Sequence, residues 1–111
     1  MELSLCIEQS GDVCVLSLDG EVDVYTAPRL REQLGSLVAG GCTHLVVDLT
    51  KVAFIDSSGL GVLVGALRRV REKDGVMRIV CTRDSILKLF RITGLDKVFP
   101  LFTDASEASR F

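Results

Sequence analysis

The chain has 111 residues, 48% of them hydrophobic and 25% charged, with a formal charge of −2 at pH 7. That length suits one domain of ordinary size and leaves no room for a second core, which excludes a multidomain enzyme. Thirteen lysines and arginines against fifteen acidic residues, with no basic block set apart, lack the electrostatic footprint of a nucleic-acid binder.

The first element expected is a strand, because Leu3, Leu5 and Ile7 alternate with Ser4, Cys6 and Glu8. Ser10-Gly11-Asp12 reads as a turn and Val13 to Leu18 as a second strand, so a β-hairpin opens the domain. Past the acidic stretch Asp19 to Asp23, Thr26 is placed to cap a helix with Pro28 in its first turn, where the missing N–H costs nothing. Leu30, Leu34, Leu37 and Val38 then share one stripe, and Gly40-Gly41 ends that helix.

Leu45 to Leu49 is almost continuously apolar, the pattern of a central strand covered on both faces. From Ser57 the period becomes helical, with Leu60, Leu63, Val64, Leu67 and Val70 on one side as far as about Lys73, and Asp74-Gly75 closing the element. Met77 to Cys81 is a further strand. Asp84 or Ser85 is expected to cap a shorter helix with Ile86, Leu89 and Phe90 inward, stopped at Gly94-Leu95. Val98 to Leu101 is expected as an edge strand tolerant of Pro100, before a short helix over Asp104 to Ser109. The order ββαβαβαβα specifies a single α/β domain over 1–111, with a mixed, largely parallel sheet and helices packed mainly on one side. No internal repeat or linker interrupts it, and Val52 to Gly61 is the one region that local propensity does not explain.

Cys6, Cys14, Cys42 and Cys81 offer no zinc-type or redox CxxC spacing, and His44 is the sole histidine, so no metal and no cofactor are expected. The expectation is four thiols acting as small hydrophobes in a reducing compartment, with Cys42, in a glycine-rich turn, the most exposed. No apolar run approaches the roughly 20 residues that span a bilayer, and the start lacks the basic residues of a signal peptide. A cytoplasmic protein without a membrane partner is expected.

Ala53-Phe54-Ile55-Asp56-Ser57-Ser58-Gly59-Leu60-Gly61 carries the chain from a strand into a helix, the junction at which α/β sheets place their sites. Helix capping accounts for one polar residue of Asp56-Ser57-Ser58, not for three. Nor does it call for Gly59 and Gly61, each costing about 1 kcal/mol relative to alanine inside a helix.

These residues, with Leu45 to Leu49 before them, closely resemble the anti-sigma-factor antagonists, the small bacterial STAS-domain proteins. Gly20-Glu21-Val22-Asp23 and Arg91-Ile92-Thr93-Gly94-Leu95-Asp96-Lys97-Val98-Phe99 resemble two further signatures of that family, in the right order and over nearly the whole chain. The resemblance implies an anti-anti-sigma factor whose unphosphorylated form sequesters an anti-sigma factor with serine-kinase activity and so releases a sigma factor. It implies phosphorylation at Ser57, with Ser58 the weaker candidate, and resetting by a PP2C-type serine phosphatase. It also raises Asp23 to a partner contact or a neighbour of the phosphate.

The residues themselves suit that chemistry. A hydroxyl in a helix's first turn lies at the positive end of the macrodipole, among unpaired N–H groups that favour an added phosphate. Asp56 adjoins it as a like charge, and Gly59 and Gly61 leave the backbone open to a partner. Gly61, Val62, Gly65 and Arg69 are expected on the outer face of the helix, away from the Leu60/Leu63/Leu67 stripe, as a docking surface with Arg68 and Arg69 at its far end.

An enzyme is the competing class. A serine nucleophile needs a base, yet His44 is separated from the Ser57 loop by five strand residues, roughly 16 Å. Ile55 stands where the first glycine of a GxSxG elbow belongs, and a receiver-type Asp56 would find only Asp23 and Asp48 as further carboxylates. The remaining alternative is a STAS sensory or scaffold module that binds a small anion or nucleotide.

Overall fold

The computed structural model describes residues 2–111. Five strands, β1 (Leu3–Ser10), β2 (Val13–Val22), β3 (His44–Ile55), β4 (Val76–Val80) and β5 (Leu101–Phe102), form one sheet in sequence order. β1 runs antiparallel to β2, and the other neighbours are parallel. The helices are α1 (Ala27–Ala39), α2 (Ser57–Glu72), α3 (Asp84–Ile92) and α4 (Ala105–Ala108), with a 3-10 turn at Leu95–Lys97. This is the α/β order the residue pattern specifies.

Crossovers that step to the next strand in the same direction, each right-handed, lay their helices on one face. Accordingly Leu30 and Leu34 of α1, Leu63 and Val70 of α2, and Ile86 and Phe90 of α3 share one core with Leu16, Leu45, Val47 and Ile79 of the sheet. The opposite face is covered in part by α4, where Ala108 packs on Val46 and Val80. No helix among the described residues is long and apolar enough to cross a membrane.

Four boundaries differ from the sequence reading, the first being that of β2, which runs past Leu18 through the acidic stretch to Val22. β3 continues past Leu49 to Ile55, and its pairing with β2 shifts register twice, so the alternation that would mark it as strand is broken. β4 pairs with β3 only as far as Asp48–Val80; beyond, Arg83 Nε donates to the Val52 carbonyl at 3.0 Å in place of a neighbouring strand. The final strand begins at Leu101 rather than Val98, because Phe99 turns inward against Phe90, with ring centroids 6.1 Å apart. The helix starts are also organised differently. The hydroxyl of Thr26, at the N-cap of α1, makes no cap bond, and Asp84 is the first helical residue of α3, whose N-cap is Arg83.

The cysteines depart further from expectation. Cys14, at the start of β2, and Cys42, in the α1–β3 turn, are both buried and form a disulfide, their Cα atoms 6.3 Å apart and within the span such a bond bridges. Both side chains fall in the same core cluster, which brings together residues that are 28 apart in sequence. Cys42 is therefore not the exposed thiol; Cys6 is, while Cys81 is free and buried.

Candidate functional site at the start of α2

The C-terminal ends of β2 and β3 lie side by side, in register at Val22–Ile55. Asp56 N–H donates to the Val22 carbonyl at 3.1 Å, so the loop after β2 and the start of α2 are joined by backbone. Asp56 is extended and caps α2: its Oδ1 accepts from Ser58 N at 2.9 Å and Gly59 N at 3.2 Å. Leu60 N donates to the Asp56 carbonyl at 3.0 Å, opening the helical ladder. Ser57 is the first helical residue and is exposed, with Ser58 half-buried behind it.

The cap changes what the site offers an anion. Two of the first-turn N–H groups that a phosphate would otherwise find are already held by the Asp56 carboxylate. A group added to the Ser57 hydroxyl therefore stands outward beside a carboxylate, as an added charge on the surface.

Asp23 is brought to the same sheet end, but not as a surface contact. It is 5% exposed and organises the turn into α1: its Oδ1 accepts from Tyr25 N at 2.9 Å and Thr26 N at 3.0 Å. Asp23 N donates to Thr26 Oγ1 at 2.9 Å, and that hydroxyl donates to the Glu21 carbonyl at 2.9 Å, with Asp23 Oδ1 at 3.2 Å as its second neighbour. Burial alone would raise the Asp23 carboxyl, but the bonds from Thr26 and Tyr25 outweigh it and hold the group below the ordinary carboxylate range. What the turn presents to solvent is Val24 and Tyr25, the latter 83% exposed. Phe54, opposite Glu21 in the ladder, is exposed at the same end of the sheet. Of these, Phe54 belongs to the signature stretch before α2, whereas Val24 and Tyr25 fall in none of the signatures, although an apolar pair between two polar turn residues is a legible signal.

The outer face of α2 is narrower than expected. Gly61 and Gly65 do border open space: a Cβ at either meets nothing within 4 Å. Val62, however, is buried in the core, and Arg69 lies back over α1, where a Cβ on Gly35 would meet its Nη1 at 2.8 Å. Gly59 is buried too: a Cβ there would come within 2.5 Å of Val22 Cγ1 and 2.7 Å of Ile55 Cγ1. Its absence of side chain serves the packing of α2 on the sheet, not access for a partner. His44 is at the far end of the twelve-residue β3, edge-on to Phe111, so it offers no base to Ser57.

Residues 4–108 match the STAS domain family. Over 101 residues the chain is 34% identical to an anti-sigma-B factor antagonist of Bacillus subtilis, covering 91% of this chain and 92% of that protein. It is 30% identical over 109 residues to an anti-sigma F factor antagonist of Paenibacillus polymyxa, covering 97% and 93%. The chain is a STAS-domain member of the anti-sigma factor antagonist family. Its fold superposes on the crystal structure of an anti-sigma factor antagonist from Mycobacterium paratuberculosis with a TM-score of 0.89, at 33% identity and 96% and 91% coverage. In this family member, the aspartate-serine-serine run is thus a capped helix start with one exposed hydroxyl at its tip.

Proposed function

We propose that this STAS protein is a phosphorylation-controlled binding module. In its unphosphorylated form it docks an anti-sigma factor that is also a serine kinase, which frees a sigma factor for transcription in the cytoplasm. The partner brings ATP and Mg²⁺. The Ser57 oxygen attacks the γ-phosphorus, its bond to phosphorus forms as ADP leaves, and the hydroxyl proton passes to a base on the partner. A PP2C-type serine phosphatase hydrolyses the ester and resets the module, which performs no catalysis of its own.

The observation that carries this reading is the exposed Ser57 at the head of a helix already capped by Asp56. Phosphorylation there adds about −1.5 to −2 charges next to an existing carboxylate without asking the helix to melt. The docking surface consists of Ser57, Ser58 and the open Gly61 and Gly65 on α2, flanked by Val24, Tyr25 and Phe54. A dianion brought into such an interface without a partner costs about 2–5 kcal/mol, which is tens to thousands of fold in affinity.

The test is a capture from the source cell with Ser57→Ala and Ser57→Asp baits. An ATPase-like protein retained by the first and not the second, and able to place acid-stable phosphate on Ser57 of the wild-type chain, is the expected result. Retention by both baits alike removes the switch.

A further inference from the structure

The long free edge of the sheet is β1, since β5 at the other edge has only two residues. Its hydrogen-bonding phase follows from its pairing with β2. Glu21 N donates to the Glu2 carbonyl at 3.0 Å, and the ladder continues in steps through Ser4–Asp19, Cys6–Ser17 and Glu8–Val15. In an antiparallel pair, hydrogen-bonded and non-bonded positions alternate, so even-numbered residues of β1 bond to β2. Odd-numbered residues direct their N–H and C=O groups to the free edge. The contact of Arg29 Nη1 with the Leu3 carbonyl, at 2.7 Å, fits that phase and satisfies one of them. Leu5, Ile7 and Gln9 remain as a short open ladder, with Ile7 42% exposed. Neither proline nor lysine, the usual guards of an edge, occurs in β1.

Cys6 sits at the centre of this ladder with an exposed free thiol. Because Leu3 is buried in the helix-covered core, the alternation of strand side chains puts Cys6 on the other face of the sheet.

We propose that the β1 edge is a docking surface for a second copy of this chain, and that a disulfide between the two Cys6 residues locks the pair. With the two-fold axis at Cys6, Leu5 of each copy faces Ile7 of the other, and the pair exchanges backbone bonds in the phase just derived. Cys6 then faces Cys6 at a non-hydrogen-bonded position, where Cα atoms are about 4.5 Å apart and side chains share a face, within the range a disulfide spans. The register sets Ser4 against Glu8, so no like charges oppose. The exposed Ile7 gains an apolar neighbour. Edge pairing over so few residues falls well short of the roughly 1,200 Å² of a stable interface, so the covalent bond is what makes the dimer persist.

The oxidant is a small-molecule disulfide such as oxidised glutathione. One Cys6 thiolate attacks it, releasing one glutathione thiol and leaving a mixed disulfide. The second Cys6 thiolate attacks that bond, releasing the other glutathione thiol. Two protein thiols are oxidised by two electrons and one small disulfide is reduced by two. The other free cysteine, Cys81, is buried, and burial pushes its thiol up, which leaves Cys6 as the reactive position.

The experiment treats the full chain with half an equivalent of oxidised glutathione per chain, so that capped and free Cys6 coexist, and follows mass by light scattering and non-reducing electrophoresis. The 12.1 kDa chain is expected to double in mass and to revert with dithiothreitol. Cys6→Ser stays monomeric and Cys81→Ser dimerises as wild type. Ser4→Glu, which sets a carboxylate against Glu8 of the other copy, slows dimerisation at least tenfold relative to the rate at which Ellman's reagent modifies Cys6, and adding Glu8→Lys restores it. A wild-type chain that stays monomeric, or a Ser4→Glu variant that dimerises at the same relative rate, overturns the proposal; the second outcome leaves a reactive thiol without edge pairing.

Discussion

The backbone N–H of Asp56 donates to the carbonyl of Val22 at 3.1 Å, and this bond ties the turn after β2 to the first turn of α2 at one corner of the sheet. On one side of it Asp23 is buried as the organiser of its turn; on the other Asp56 caps α2. Between them the corner displays Tyr25 and Ser57.

Gly59 and Gly61 are two residues apart and predict opposite responses. Gly59→Ala pushes a methyl into Val22 and Ile55, and overpacking of this kind costs about 1–3 kcal/mol. Gly61→Ala meets nothing and gains helix propensity, up to about 1 kcal/mol of stabilisation. Urea denaturation of the two variants measures both.

Tyr25 and Gly65 test the proposed docking surface without touching the core. Tyr25→Ala and Gly65→Trp are expected to leave urea stability within about 0.5 kcal/mol of wild type. Each weakens binding of the anti-sigma partner tenfold or more in a surface-plasmon titration, since exposed aromatic anchors and open helix faces are where truncation or bulk acts most.

Asp23 carries a pH signature. Its carboxyl is lower in the folded chain than in the unfolded one, so the unfolded state binds the proton more readily and stability rises with pH. The contribution is complete above the ordinary carboxylate range near pH 4 and is lost as pH falls from there through the lowered folded value. The difference in stability between wild type and Asp23→Asn is therefore constant from pH 7 to about 5 and shrinks below 4, as thermal melts across that range can record.

The Cys14–Cys42 disulfide closes a 28-residue separation, for which the chain-entropy argument gives about 3–4 kcal/mol. Melting with and without dithiothreitol is expected to show that loss in wild type and none in the Cys14→Ser/Cys42→Ser pair.

Much of this was legible in the residues, and the exceptions share a cause. Strand and helix periods located the order of elements along the chain, the α2 stripe and the Gly94 stop, whose φ of 76° is the left-handed value that glycine supplies. Val62 was misplaced because helical spacing gives a stripe's direction but not its width; the sheet and α1 together bury a wider arc of α2 than three leucines mark. The burial of Asp23 and Gly59 is not visible in the sequence, since neither the turn's hydrogen bonds nor the closeness of Val22 and Ile55 has any local signature. The Cys14–Cys42 contact is likewise tertiary, invisible to spacing rules built on short motifs.

In the proposed function, one phosphate on Ser57 decides docking. Calorimetric titration of the anti-sigma partner with the unmodified chain, and then with the same chain phosphorylated at Ser57, tests it most directly. Affinity is expected to be lower by a factor of about 30 or more for the phosphorylated chain, equivalent to the lower bound of about 2 kcal/mol, with both forms folded to the same melting temperature within a few degrees. Equal affinities for the two forms would contradict it.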